Sequence, residues 1–119
     1  MGDFRTLLVY QRSVTFAKLI YRLTNHFPKE EMFGMTSQLR RASASIMANI
    51  AEGSGRNTTK DFLKFLYIAR GSLFECECFL EFAKEVRYIT TEQYDFIEKK
   101  RGEVGFLLYK FILSQEKNI

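Results

Sequence analysis

One proline, Pro28, and seven glycines are all the strong breakers in 119 residues. A chain so rarely interrupted is built of long regular elements rather than many short strands with their turn clusters. The period of its apolar residues says which kind. From Leu7 to His26, Val9, Phe16, Ile20, Leu23 and Phe27 recur at steps of three, four and seven, flanked by Tyr10, Val14, Ala17 and Tyr21. Gln11, Thr15, Lys18, Arg22 and Asn25 line the other side, so the spacing predicts an amphipathic helix that Pro28 ends.

Three more helices follow by the same reasoning. The second is expected to start after Thr36 as N-cap and to run to about Glu52, with Leu39, Ala42, Ile46, Ile50 and Gly53 as its stripe. Its abundance of small residues (Ala42, Ser43, Ala44, Ser45, Ala48, Ala51) lets a neighbouring helix come close, and Gly53-Ser54-Gly55 ends it. The third is expected from Thr58 or Thr59 to about Val86, opened by a capping box of Thr58 and Asp61. The fourth is expected from Thr90 to about Ser114, with Thr90 and Gln93 as capping box and Tyr94, Ile97, Val104, Leu108 and Phe111 as stripe. Gly102 and Gly105 each weaken it by about 1 kcal/mol and are expected to mark a close helix contact. Short connections make sequential helices antiparallel neighbours. The fold class is therefore all-α, an antiparallel up-down-up-down four-helix bundle, in one domain over residues 1–119.

The third helix carries more apolar surface than one bundle position can hide. Phe62, Leu66, Ala69, Leu73, Cys76 and Leu80 form the expected core stripe. A second set, Leu63, Tyr67, Phe74 and Cys78 with Gly71 in the gap, lies roughly 100–160° around the wheel, and Phe65, Phe79 and Phe82 occupy another sector. A contiguous apolar patch normally marks an interface. Leu63, Tyr67, Phe74, Cys78 and Phe82 are thus the candidate surface for association with further copies of the chain.

Charge gives a second surface. The net charge is +4, and the whole excess falls in residues 1–58, which hold eight Lys/Arg against four acids. Arg12, Lys18 and Arg22 on the first helix, and Arg56, Lys60 and Lys64 around the second turn, are the candidate contacts to RNA or DNA. Arg40 and Arg41 join them if they face a phosphate-bearing partner. Antiparallel pairing about the 54–58 turn instead brings these two near Ser72 and Glu75, in a register-fixing network with Ser45, Asn49 and Glu52. No pattern for reading bases is present.

Catalysis and metal binding have little to stand on. There is a single histidine, His26, and no local nucleophile signature. Cys76 and Cys78 point about 200° apart on a helix, so they form neither a disulfide nor, with one histidine, a zinc site. No catalytic, metal or cofactor-binding residues are expected. Residues 1–10 include Asp3 and lack the apolar run of a signal peptide, and no apolar run is long enough to span a bilayer. The expectation is a cytoplasmic protein with reduced thiols and no membrane partner.

Several stretches are distinctive taken together: Tyr21-Arg22-Leu23-Thr24; Phe27 to Glu31; Phe33 to Ala42; Asn49-Ile50-Ala51-Glu52-Gly53 followed by Arg56; then Phe62, Phe65-Leu66, Ile68-Ala69 and Gly71-Ser72-Leu73 with Glu75. In these the chain resembles the small bacterial proteins of the 23S ribosomal RNA intervening-sequence family, over almost its whole length and most strongly in residues 21–75. The resemblance implies a four-helix bundle without enzymatic activity that assembles as a ring, typically a pentamer. Some members are encoded in intervening sequences of large-subunit rRNA genes. A related branch, the accessory variability proteins of diversity-generating retroelements, binds nucleic acid and partners a reverse transcriptase. The chain departs from the pattern at Met47, where proline is frequent, and at Cys76 and Cys78, where aliphatic residues are common. Two functions follow as expectations: a homo-oligomeric, RNA-associated binding module, or a protein-interaction scaffold whose basic patch is incidental.

Overall fold

In a computed structural model that describes residues 2–119, four helices account for most of the chain: α1 Leu8–Thr24, α2 Met35–Ser54, α3 Thr59–Glu85 and α4 Thr91–Glu116. Short 3₁₀ turns at Phe4–Thr6 and Lys29–Glu31 precede α1 and α2. The helices pack in cyclic order, α1 on α2, α2 on α3, α3 on α4 and α4 back on α1, in a bundle 44 × 24 × 20 Å. This is the all-α up-down-up-down arrangement that short connections dictate. No helix among the described residues is long and apolar enough to cross a membrane.

The core is made of the expected stripes. Phe16 and Ile20 of α1, Leu39, Ile46 and Ile50 of α2, Leu66 and Leu80 of α3, and Ile97 and Leu108 of α4 are all essentially inaccessible to water. Ile112, outside the expected α4 stripe, is buried with them.

The helix starts differ in instructive ways. Thr36 does not cap α2; it is buried one residue inside it, and the cap position falls to Gly34. The carboxylate of Glu31 does the work instead, accepting a hydrogen bond from the Met35 amide at 3.1 Å. The preceding 3₁₀ turn brings that carboxylate back over the helix start, so a residue four positions upstream can cap. At α3, Thr58 Oγ1 accepts from the Asp61 amide at 3.1 Å, but aspartate is too short to return the bond and its carboxylate lies 3.6 Å from Lys64 Nζ. At α4 the box is complete, with both Thr90–Gln93 bonds formed. Helix α2 runs unbroken through Met47.

Glycines sort by what faces them. A Cβ on Gly53 would stand 2.8 Å from Phe62 Cδ1 and from Phe65 Cβ, so the α2–α3 approach there needs glycine. Gly102 and Gly105, expected at a close contact, have nothing within 4 Å of a Cβ position. They lie on the outer side of α4, where the chain itself supplies no neighbour, so the contact expected there is not made within the chain.

Candidate nucleic-acid and self-association surfaces

Of the five residues expected to form the self-association surface, Leu63 does not belong to it. It is only 2% exposed and sits in the core. Four turns further along α3, on nearly the same flank, Glu77 reaches Arg101 of α4 at 3.1 Å. Further along α3 the flank opens, with Arg70, Phe74 and Glu81, all within about 20° of Leu63 on the wheel, exposed, so Leu63 is closed off only at its own level near the start of the helix. The other four lie outward. Phe74 is 62% exposed, Phe82 and Cys78 are exposed, and Tyr67 keeps part of its ring in water while its hydroxyl donates to Glu116 at 2.6 Å.

The structure extends this surface onto α4. The bonds Tyr67–Glu116 and Glu77–Arg101 pin the antiparallel register of the two helices. Between them, Gly71 comes level with Tyr109, and Phe74 with Gly105 and Phe106. Phe106, Tyr109 and Leu113 are exposed large apolar residues on the same side of the pair. An apolar face two helices wide therefore runs along the bundle with open glycine positions among its rings. The α4 half is hard to see in the sequence, because Phe106, Tyr109 and Leu113 fall outside its core stripe and read as scattered surface residues. The signal that remained was Gly102 and Gly105 themselves, glycines in mid-helix with no internal reason.

The eight basic candidates divide into three groups. Arg40 and Arg41 are committed to the fold. Arg40 turns to α1 rather than to α3: its Nε donates to Thr24 Oγ1 at 2.9 Å, its Nη2 donates to Asn25 Oδ1 at 2.9 Å, and the guanidinium lies 4.8 Å from the Tyr21 ring centre. The end of α1 offers oxygen acceptors and a ring that the flat guanidinium satisfies together. Arg41 does meet Glu75, at 2.8 Å, and Ser72 donates to Ser45 at 2.9 Å, which ties α2 to α3 as expected. Asn49 stays within its own helix, donating to Ser45 O at 2.8 Å.

Arg56, Lys60 and Lys64 fall at the end of the bundle that holds the 55–58 turn, and Arg12 shares a cleft with Lys100 and Glu103 of mid-α4. Arg56 lies 3.5 Å from Glu52 and over the Phe65 ring, Lys64 beside Asp61, and Arg12 and Lys60 make no ion pair among the described residues. Lys18 and Arg22 are exposed on α1 but lie toward the opposite end. Antiparallel folding brings to the turn end four cations that the sequence pattern did not single out, Arg5, Arg70, Lys110 and Lys117. That end then carries seven Lys/Arg against four acids, whereas the opposite end carries nine of each and the level of Arg12 carries Arg12 and Lys100 against Glu103, so +3 of the +4 excess sits at the turn end.

His26 lies on the rim of a cleft between α1 and α4 lined by Leu19, Arg22, Leu23, Gln93, Phe96 and Ile97. No carboxylate lines it, so a histidine–carboxylate pair is not assembled there. Cys76 is buried and its thiol is pushed up to about 12, mainly by that burial, while Cys78 is exposed. No group of three or more His, Cys, Asp or Glu side chains converges among the described residues.

Comparison with known proteins agrees with the bundle and its motifs. A family model described as 23S rRNA-intervening sequence protein matches residues 5–110. A crystal structure from Bacteroides thetaiotaomicron, described as a protein with unknown function from the S23 ribosomal protein family, superposes with a TM-score of 0.79 at 33% identity. The match covers 88% of this chain and 98% of that one. No curated protein matches the sequence. With a family match over nearly the full length and a similar fold at that identity, the chain belongs to the 23S rRNA-intervening sequence protein family.

Proposed function

We propose that this protein is a non-enzymatic, self-associating RNA-binding module, in which copies meet through the outer α3–α4 face and present their basic ends together. A ring of such copies, a pentamer as the family resemblance implies, repeats the charged end around one rim and multiplies its field. The observation that carries this reading is the axial charge division, with +3 of the +4 excess at the 55–58 end of the bundle. Lys60, Arg70, Lys110 and Lys117 there make no ion pair among the described residues, Arg70 and Lys110 lying only over the rings of Tyr67 and Phe106, so their charge is open to phosphates. Arg40 and Arg41 are left out of the footprint because each already meets acceptors of this chain, Arg40 at the end of α1 and Arg41 at Glu75. Self-association draws on the exposed rings of Phe74, Phe82, Phe106 and Tyr109, which a lone bundle leaves in water.

The test pairs molar mass by light scattering with the binding of a single-stranded RNA at increasing salt. Wild type should be larger than a monomer and should lose affinity with a log–log slope of roughly 0.7 per phosphate contacted. Lys60→Glu with Lys110→Glu and Lys117→Glu should weaken binding at least about tenfold, while Lys18→Glu with Lys29→Glu at the other end should change it little. Binding insensitive to salt, or equal loss from both sets, would remove the RNA reading. A protein partner recovered regardless of nuclease treatment would favour the scaffold instead.

A further inference from the structure

The most exposed large hydrophobic side chain among the described residues is not on the α3–α4 face. Phe33 is 95% exposed, with Met32 beside it half in water, on the connection between α1 and α2. That connection is braced rather than loose. Glu31 accepts from Tyr88 Oη at 2.7 Å and from the Met35 amide at 3.1 Å, the Gly34 amide donates to Glu31 O at 3.0 Å, and the rings of Phe27 and Tyr88 meet at 5.5 Å. The phenyl ring is thus held out into solvent on a fixed mount, which lowers the ordering cost of any contact it makes.

The same end of the bundle carries a socket. The α1–α4 cleft holds about 220 Å³ over the apolar side chains Leu19, Leu23, Phe96 and Ile97, with Arg22 on its rim. Its charge complements the knob: Glu30, exposed beside Phe33, makes no ion pair, and neither does Arg22. The knob is fastened toward α3 through Tyr88, whereas the socket opens between α1 and α4, so one chain does not fill its own cleft.

We propose that Phe33 of one copy docks in the Leu19/Leu23/Phe96/Ile97 cleft of the next, with Glu30 facing Arg22 across the contact. Knob and socket are different patches, which makes the contact head-to-tail. Repeated copy on copy, a head-to-tail contact is the kind from which the ring proposed above can be built. The inference rests on the self-association proposed above and specifies which residues set its geometry.

Light scattering on the full chain over a range of concentrations tests it. Phe33→Glu and Arg22→Glu should each raise the dissociation constant at least about tenfold, and Glu30→Arg should restore assembly to the Arg22→Glu protein. Since these side chains stand in water, circular dichroism and Tm of all variants should match wild type in protein dilute enough that wild type is also dissociated, which separates lost docking from lost folding. Wild-type mass retained by both Phe33→Glu and Arg22→Glu would overturn the inference. If Phe74→Glu dissociates the protein and Phe33→Glu does not, self-association stands and the knob falls. A wild type that is monomeric at about 100 µM would defeat both.

Discussion

Gly53 is held to a hydrogen atom by what lies against it. A methyl group there would meet Phe62 Cδ1 and Phe65 Cβ at 2.8 Å, and the Phe65 Cβ is tied directly to the α3 backbone. Alanine gains about 1 kcal/mol of helix propensity over glycine, but forcing two packed helices apart costs about 1–3 kcal/mol, and a rigid Cβ at 2.8 Å puts the cost above the gain. Gly53→Ala should therefore lower stability by up to about 2 kcal/mol in urea unfolding, although the same change stabilises most exposed helices. Glu31 offers a residue-scale test by pH. The Tyr88 hydroxyl first, and the Met35 amide second, bond the carboxylate and lower its pKa from the ordinary 4.5; the same bond raises that of Tyr88 from 10.0. A lowered carboxylate contributes stability that is present above pH 4.5 and lost as the pH falls through the folded value. The raised phenol contributes stability present below pH 10.0 and lost as the pH rises through its folded value. The Tm difference between wild type and Glu31→Gln should accordingly be largest near neutrality and shrink toward pH 3, as followed by circular dichroism. A difference that stays constant with pH would show that the carboxylate's charge is not what braces the loop.

At the scale of the helix, α4 is the element whose sequence fits a lone bundle least. Gly102 and Gly105 interrupt its middle and have nothing within 4 Å of a Cβ position. With no internal clash to relieve, Gly102→Ala and Gly105→Ala should each stabilise the isolated bundle by about 0.5–1 kcal/mol in urea unfolding of dilute protein. Loss of stability would mean that α4 leans closer to α3 in solution than these distances allow. The rest of the bundle was largely legible from its letters. Stripes with a dominant face, such as Leu39/Ala42/Ile46/Ile50, were readable because burial and the 3.6-residue period coincide. The start of α2 was not, because the group that caps it is a side chain four residues upstream, brought back by a 3₁₀ turn that no capping pattern encodes. Leu63 is illegible for a related reason. It shares its flank with Phe74 and Glu81, both exposed, so its burial is set by where it stands along the bundle and not by its place on the wheel. Arg40 likewise sits beside Arg41 in sequence yet points to α1, a choice made by the free oxygens of Thr24 and Asn25 at the end of another helix.

For the molecule as a whole, the charge pattern changes meaning on folding. Along the chain the excess of +4 belongs to residues 1–58. In space most of it, +3, belongs to one end of a rod 44 Å long, since antiparallel helices set the N-terminal segment, the 55–58 turn and the last turns of α4 side by side. The opposite end, with nine charges of each sign, is electrically balanced and carries exposed Phe33 and the α1–α4 cleft. On the readings proposed above, the first end serves a polyanion and the second a further copy, with the apolar α3–α4 face running between them. That division makes the state of assembly readable at a single atom. Cys78 lies on the exposed face between Phe74 and Phe82, whereas Cys76, two residues away, is buried with its thiol pushed up to about 12 by that burial and does not ionise near neutrality. An alkylating reagent at pH 8 should modify one thiol per folded chain, and that one is Cys78. If copies meet through the α3–α4 face, its rate should fall at least about tenfold as the protein is concentrated through assembly, and should recover in Phe74→Glu, because a thiol enclosed between packed copies reacts only from the dissociated fraction. A rate independent of concentration, in a sample that light scattering finds assembled, would put the copies' contact elsewhere and leave the exposed rings of α3 and α4 unexplained by self-association.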